Sequence, residues 1–181
     1  SGRTEQWLAR SAFPIESRWF GSVRVATYAP PLVTVATTTA GAAFGDSIRL
    51  ESFAFAPTIV RGGEVVRLEL NWRMVGAPIA TRYKIFVHVL DASGNVIAQR
   101  DAEPMADLAP TTTWKVGEPI VDHHGIRLPA NVPPQSLRIA VGFYDPETNE
   151  RLPVRESGSL DHANGAPLPD GRLLFDGLRA Q

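Results

Sequence analysis

Cysteine is absent from the 181 residues, so neither a disulfide nor a thiolate metal site can hold the chain together. Long apolar runs are also absent. No stretch approaches the ~20 residues needed to cross a bilayer, so the chain is not expected to span one, and no basic-then-apolar leader opens it. An excess of one charge is missing as well: 18 Lys and Arg stand against 19 Asp and Glu. Non-specific phosphate binding needs a basic face to displace counterions, so nucleic acid is not an expected partner. The first residue is Ser1 rather than Met, and the chain is expected to be a segment of a longer protein.

What is present is enough apolar material for a core, 44% hydrophobic against 20% charged residues. The clearest pattern runs from Glu64 to Arg100. Val66, Leu68, Leu70, Trp72 and Met74 alternate with Arg67, Glu69, Asn71 and Arg73, as a half-buried strand requires, and this places Trp72 in the core. A second strand is predicted over Tyr83–Leu90, and the Asp91–Asn95 turn folds Val96–Arg100 back onto it. Further strands are predicted over Ser47–Phe55, Pro119–Leu128, Leu137–Tyr144 and Arg151–Arg155, with Arg172–Phe175 as a last edge strand. Within Ser47–Phe55 the apolar parity changes from Ile48 and Leu50 to Phe53 and Phe55, which predicts a bulge near Ser52. Strands this short, with turn signals every few residues, indicate an all-β antiparallel β-sandwich, immunoglobulin-like or jelly-roll.

The sandwich is assigned to residues 46–181, and residues 1–45 to a helix-strand appendage and linker. Thr4 caps a helix through Ser11, Pro14 stops it, and Val23–Tyr28 forms a strand. The composition of Leu32–Gly45, rich in Val, Thr, Ala and Gly, reads as a linker or a loosely attached strand. A unit of about thirty residues has no interior for Trp7, Leu8, Trp19, Phe20 and Tyr28, so it must dock on something.

Several phrases occur together in order: Phe44-Gly-Asp-Ser-Ile-Arg-Leu50, Pro57-Thr-Ile-Val-Arg-Gly-Gly-Glu64, Leu70-Asn-Trp72, Tyr83-Lys-Ile-Phe-Val-His-Val-Leu-Asp91, Pro110-Thr-Thr-Thr-Trp114, and Val141-Gly-Phe-Tyr-Asp-Pro146 with Glu150-Arg-Leu-Pro153. With Arg18-Trp-Phe-Gly-Ser-Val-Arg-Val25 before them, they resemble the C-terminal exterior region of bacterial polytopic membrane glycosyltransferases of the protein mannosyltransferase and aminoarabinose transferase group. The resemblance covers nearly the whole chain. It implies a non-catalytic accessory domain on the extracytoplasmic face of the membrane, a scaffold or a weak binder of glycan or of the parent's membrane-embedded part. The parent's chemistry would lie elsewhere, so no catalytic residue is carried over and no cofactor is implied. The alternative is a free-standing carbohydrate-binding or adhesion module of a cell-surface protein.

Candidate sites are few. His123 and His124 are adjacent on a strand and point to opposite faces, and with His88 and His162 they match no metal-ligand spacing. Asp91, Asn95, Asp145 and Asn149 read as turn formers rather than calcium ligands. Asp101 with Glu103, and Asp122 with His123, read as solvated charges. Sugar binding is the sharper expectation, because an exposed aromatic ring can stack on a pyranose while polar neighbours fix its orientation. On the outward parity lie Lys84, Phe86 and His88, and, on the strand expected to pair with theirs, Arg138, Ala140, Gly142 and Tyr144. The ligand-binding candidates are therefore Phe86, His88, Trp114, Arg138 and Tyr144, with Trp114 overhanging from its loop. The competing expectation is that the appendage or the tail covers this face.

Overall fold

A computed structural model describes residues 2–32, 35–156 and 166–181. Helix α1 (Gly2–Ser11) is followed by the hairpin β1 (Phe13–Phe20) and β2 (Val23–Ala29). The remaining strands are β3 (Thr38–Phe44), β4 (Ile48–Ala56), β5 (Ile59–Val60), β6 (Val65–Met74), β7 (Lys84–Leu90), β8 (Val96–Ala102), β9 (Pro119–Arg127), β10 (Gln135–Tyr144), β11 (Val154–Glu156), β12 (Ala166–Pro167) and β13 (Leu173–Ala180). They form two facing sheets. One has the order β11-β3-β4-β6-β9; the other has the order β12-β13-β10-β7-β8, with β5 also paired to β13. The architecture is an all-β sandwich in which every pairing except β5 with β13 is antiparallel.

The two-residue repeat in β6 is the reason the sheets close on each other. Val66, Leu68, Leu70, Trp72 and Met74 are buried, and the alternate residues are only partly covered. Ile85, Val87 and Val89 of β7 and Ile139, Val141 and Phe143 of β10 meet them from the other sheet. Phe143 lies edge-on to Trp72, with ring centroids 4.9 Å apart. The expected bulge in β4 is present: Leu50 pairs with Trp72 and Ser52 with Asn71, leaving Glu51 as the extra residue.

Two expectations about the chain's organisation need correction. Within the segment read as a linker or loose strand, Thr38–Phe44 is an integral strand between β4 and β11, so a boundary at Asp46 would cut a hairpin of the sandwich. The strand expected at the edge, β13, runs to Ala180 and lies between β10 and β12, with Leu173, Phe175, Leu178 and Ala180 in the core. His162 and the rest of residues 157–165 lie outside the described residues.

Candidate functional site

The outward face of the six-stranded sheet is built on the pairing of β7 with β10, which sets Phe86 opposite Gly142 and His88 opposite Ala140. Gly142 is required there. A Cβ at that position would collide with the Phe86 ring and with the Gly171 carbonyl oxygen. The missing side chain lets Phe86 lie down over the strand, and the Arg151 guanidinium closes over it, 4.8 Å from the ring centroid. Phe86 is consequently only 1% exposed. It forms a floor, not the stacking platform its parity suggested.

Polar groups gather above that floor. His88 Nε2 lies 3.6 Å from Asp101 Oδ1, and the Tyr144 phenol lines the same cleft beside that carboxylate. Burial first, and then the neighbouring Asp101 carboxylate, push the Tyr144 phenol above its ordinary range, so it remains protonated and able to donate. With Asn149 and Arg151 these groups line a cleft of about 240 Å³. Asn149 reaches the rim from a tight turn in which its N–H donates to the Asp145 carbonyl and its own φ is +62°.

Asp101 faces the cleft because of a bulge in the β7–β8 hairpin. Leu90 pairs with Val96 but Val89 pairs with Ala98, so Ile97 is the extra residue and Asp101 falls opposite Phe86. Sequence reasoning set Asp101 aside as a solvated charge and did not select Asn149 or Arg151.

Phe86, His88 and Tyr144 are thus brought together, whereas the other two candidates lie elsewhere. Trp114, expected to overhang this face, is buried on the inside of the sandwich, edge-on to Phe143, and its indole N–H donates to the Ala109 carbonyl at 2.9 Å. Arg138 pairs with Leu90 towards the far end of β10 and lines a different cleft with Ala92 and Arg179. The tail covers part of the intervening surface, since Leu168 packs with Leu90, Ala140 and Leu174. The N-terminal appendage does not cover the cleft. It packs against β6 and β9 of the other sheet, and its hairpin borders β8 across a separate cavity beside Arg100–Ala102.

There, His123 and His124 point in opposite directions, as adjacent strand residues must. His123 faces the appendage, its Nδ1 3.2 Å from the Ala9 carbonyl and its Nε2 3.3 Å from Glu69 Oε2, with the Phe13 ring 4.6 Å away. His124 faces inward, its Nε2 2.6 Å from Asp122 Oδ2, while the Arg100 guanidinium donates towards its Nδ1 at 3.2 Å. Asp122 is therefore a fully buried partner of His124, contrary to its reading as a solvated neighbour of His123. Its other oxygen accepts the Met105 N–H at 2.7 Å and anchors three successive left-handed residues, Met105, Ala106 and Asp107. Burial pushes the Asp122 carboxyl up, but His124, the Met105 N–H and Arg100 outweigh it and hold the group below its ordinary value. Both ring nitrogens of His124 are occupied, so this buried pair has no free nitrogen to offer a substrate.

No family model matches the sequence, and no curated protein does. Among the described residues, no three His, Asp or Glu side chains converge on a point where a metal ion could sit, and no helix is long and apolar enough to cross a membrane. The β7–β10 cleft offers instead a carboxylate, an imidazole, a phenol, a carboxamide and a guanidinium within one small volume. That combination donates and accepts hydrogen bonds in several directions, as a polyhydroxylated ligand requires.

Proposed function

We propose that the chain is a non-catalytic, extracytoplasmic β-sandwich domain of a membrane glycosyltransferase-like protein, and that it holds a short stretch of glycan in the cleft on its β7–β10 face. The observation that carries the glycan part is the convergence of His88, Asp101, Tyr144, Asn149 and Arg151 over the Phe86 floor, on a face the appendage leaves open. Paired polar groups fixed by a packed floor can take adjacent sugar hydroxyls without paying for side-chain ordering at the moment of binding. The order of phrases quoted from Phe44 to Pro153 supports the membrane-glycosyltransferase part.

Titration of soluble oligosaccharides, followed by amide and tyrosine-ring NMR shifts, tests the glycan reading. Perturbation should centre on Tyr144 and His88 and be lost in Asp101→Ala, with Arg138→Ala unaffected. A broad panel that shifts none of these resonances would leave only the scaffold role. Turnover of any glycan or lipid-linked sugar by this chain would overturn its assignment as non-catalytic.

A further inference from the structure

The appendage docks through small residues and one large one, Phe13, and leaves Trp7, Trp19 and Phe20 in water. Ala9, Ala12, Phe13 and Ala29 are buried, whereas Trp7 is 64%, Trp19 67% and Phe20 64% exposed. These three are the only large aromatic side chains so exposed among the described residues; the other exposed large hydrophobics are aliphatic. The expectation that docking would bury Trp7, Trp19 and Phe20 is therefore corrected. The sheet surface that receives the appendage is shaped for the Ile15 side chain and for the Phe13 and Pro14 carbonyls by the absence of a side chain at Gly125.

Two of the three exposed rings, Trp19 and Phe20, lie at the end of a ribbon, and Trp7 lies on α1. Every residue from Glu16 to Ala26 is exposed, and Gly21, at φ +61°, makes the tight turn that joins the two strands. Phe20 pairs with Val23 and Arg18 with Val25 on one face; Trp19 pairs with Arg24 on the other. Both faces of the tip thus carry an aromatic ring and an arginine. A protein partner laid on one face would leave the opposite ring in water. A medium that surrounds the tip would take both rings at once.

From this we infer that the β1–β2 tip inserts into the headgroup layer of a bilayer carrying anionic lipid. Aromatic rings settle at that depth, and arginine stems lie along apolar surface while their guanidinium groups reach phosphate. At the surface Arg18 pairs with Glu16 at 3.1 Å and Arg24 with Glu5 at 3.0 Å, exposed pairs whose guanidinium groups can exchange a carboxylate for phosphate. Arg3 and Arg10 leave residues 1–30 at +2, while the rest of the chain holds 14 basic and 17 acidic residues, or −3. Ser17 to Phe20 extend about 10 Å at strand rise, enough for an interfacial layer several ångströms deep. The open backbone edges of a two-stranded ribbon confine it to that layer, where water and headgroups can satisfy them. None of the residues lining the glycan cleft belongs to the appendage, so the inference uses none of them.

Vesicles of phosphatidylcholine, with and without phosphatidylglycerol, provide the test by co-sedimentation and by quenching of Trp fluorescence with brominated lipid. The full chain should bind, more tightly with phosphatidylglycerol, and Trp19 should be quenched. The double variant W19S/F20S should weaken binding on the order of thirtyfold, because about two-thirds of each ring is still available to bury. Arg18→Glu should weaken binding only where phosphatidylglycerol is present. Both changes are at exposed positions, and unchanged near-ultraviolet circular dichroism from the buried Trp72 and Trp114 checks the fold. Absence of binding to either vesicle, or binding that W19S/F20S leaves intact, would overturn the inference. So would self-association abolished by W19S/F20S, which would make a second copy the occupant. Oligosaccharide shifts at Tyr144 should persist in W19S/F20S, so failure of one proposal is distinguishable from failure of the other.

Discussion

The outward faces of the two sheets are both interrupted by a buried glycine, and they use it in opposite ways. On the five-stranded sheet, Gly125 opens a seat that another segment fills: a Cβ there would lie 2.8 Å from Ile15 Cγ1 and 3.1 Å from the Phe13 carbonyl oxygen. On the six-stranded sheet, Gly142 is filled from within the sheet by Phe86, and polar side chains gather above that ring. One face becomes an internal docking surface and the other keeps a cleft. A glycine in a strand is therefore not by itself a mark of a binding site; what occupies the space it leaves decides that.

The largest break comes at the seam both faces share. β8 and β9 are the edge strands of their sheets, and Asp122, His124 and Arg100 connect them. Asp122→Ala strands Arg100 and His124 without their partner and frees the left-handed turn at Met105–Asp107, and should lower unfolding free energy in urea by ~3–5 kcal/mol. The same residue sets an acid limit. Its folded-state value lies below the ordinary 3.8, so its stabilisation is present above that pH and is lost as pH falls through the folded value. Acid unfolding of Asp122→Asn should lack that component.

Next in size, Gly142→Ala should lose ~1–3 kcal/mol, since the new Cβ meets ring and backbone at once. Its NMR perturbations should centre on Phe86 and Tyr144 and leave His123 unmoved. The mirror change, Gly125→Val, should have the smallest effect on the midpoint of sandwich unfolding but release the appendage. Rapid proteolysis between residues 1 and 31, with the remaining chain intact, is the expected result. Protection equal to that of the parent chain would mean that the Phe13 contact is not what holds the appendage.

Much of the sandwich was legible because its signals are local. Alternation in β6 and β10 identified which side of each strand is apolar, and Asp, Asn and Gly marked the turns. Phe86, His88 and Tyr144 were assembled on paper by the same parity. Trp114 misled because a lone Trp in a polar loop has no period; its burial depends on Phe143, which is distant in sequence. The docking of the appendage was equally silent, because Ala9, Ala12 and Gly125 carry no hydrophobic signature and Phe13, beside Pro14, belongs to no apolar period.

The two bulges separate what the sequence by itself determined from what only the tertiary structure decided. In β4 the extra residue was predictable, since large apolar side chains lie on both sides of it and their parity visibly changes from Leu50 to Phe53. In β8, Ile97 is followed only by Ala98, Gln99, Arg100, Asp101 and Ala102, too little apolar bulk to record a change of phase. An unbulged hairpin would turn Arg100 outward beside Phe86 and Asp101 inward. The bulge reverses them, sending Arg100 to His124 and Asp101 to the cleft, because the buried Asp122–His124 pair that receives Arg100 exists only once both sheets are in place.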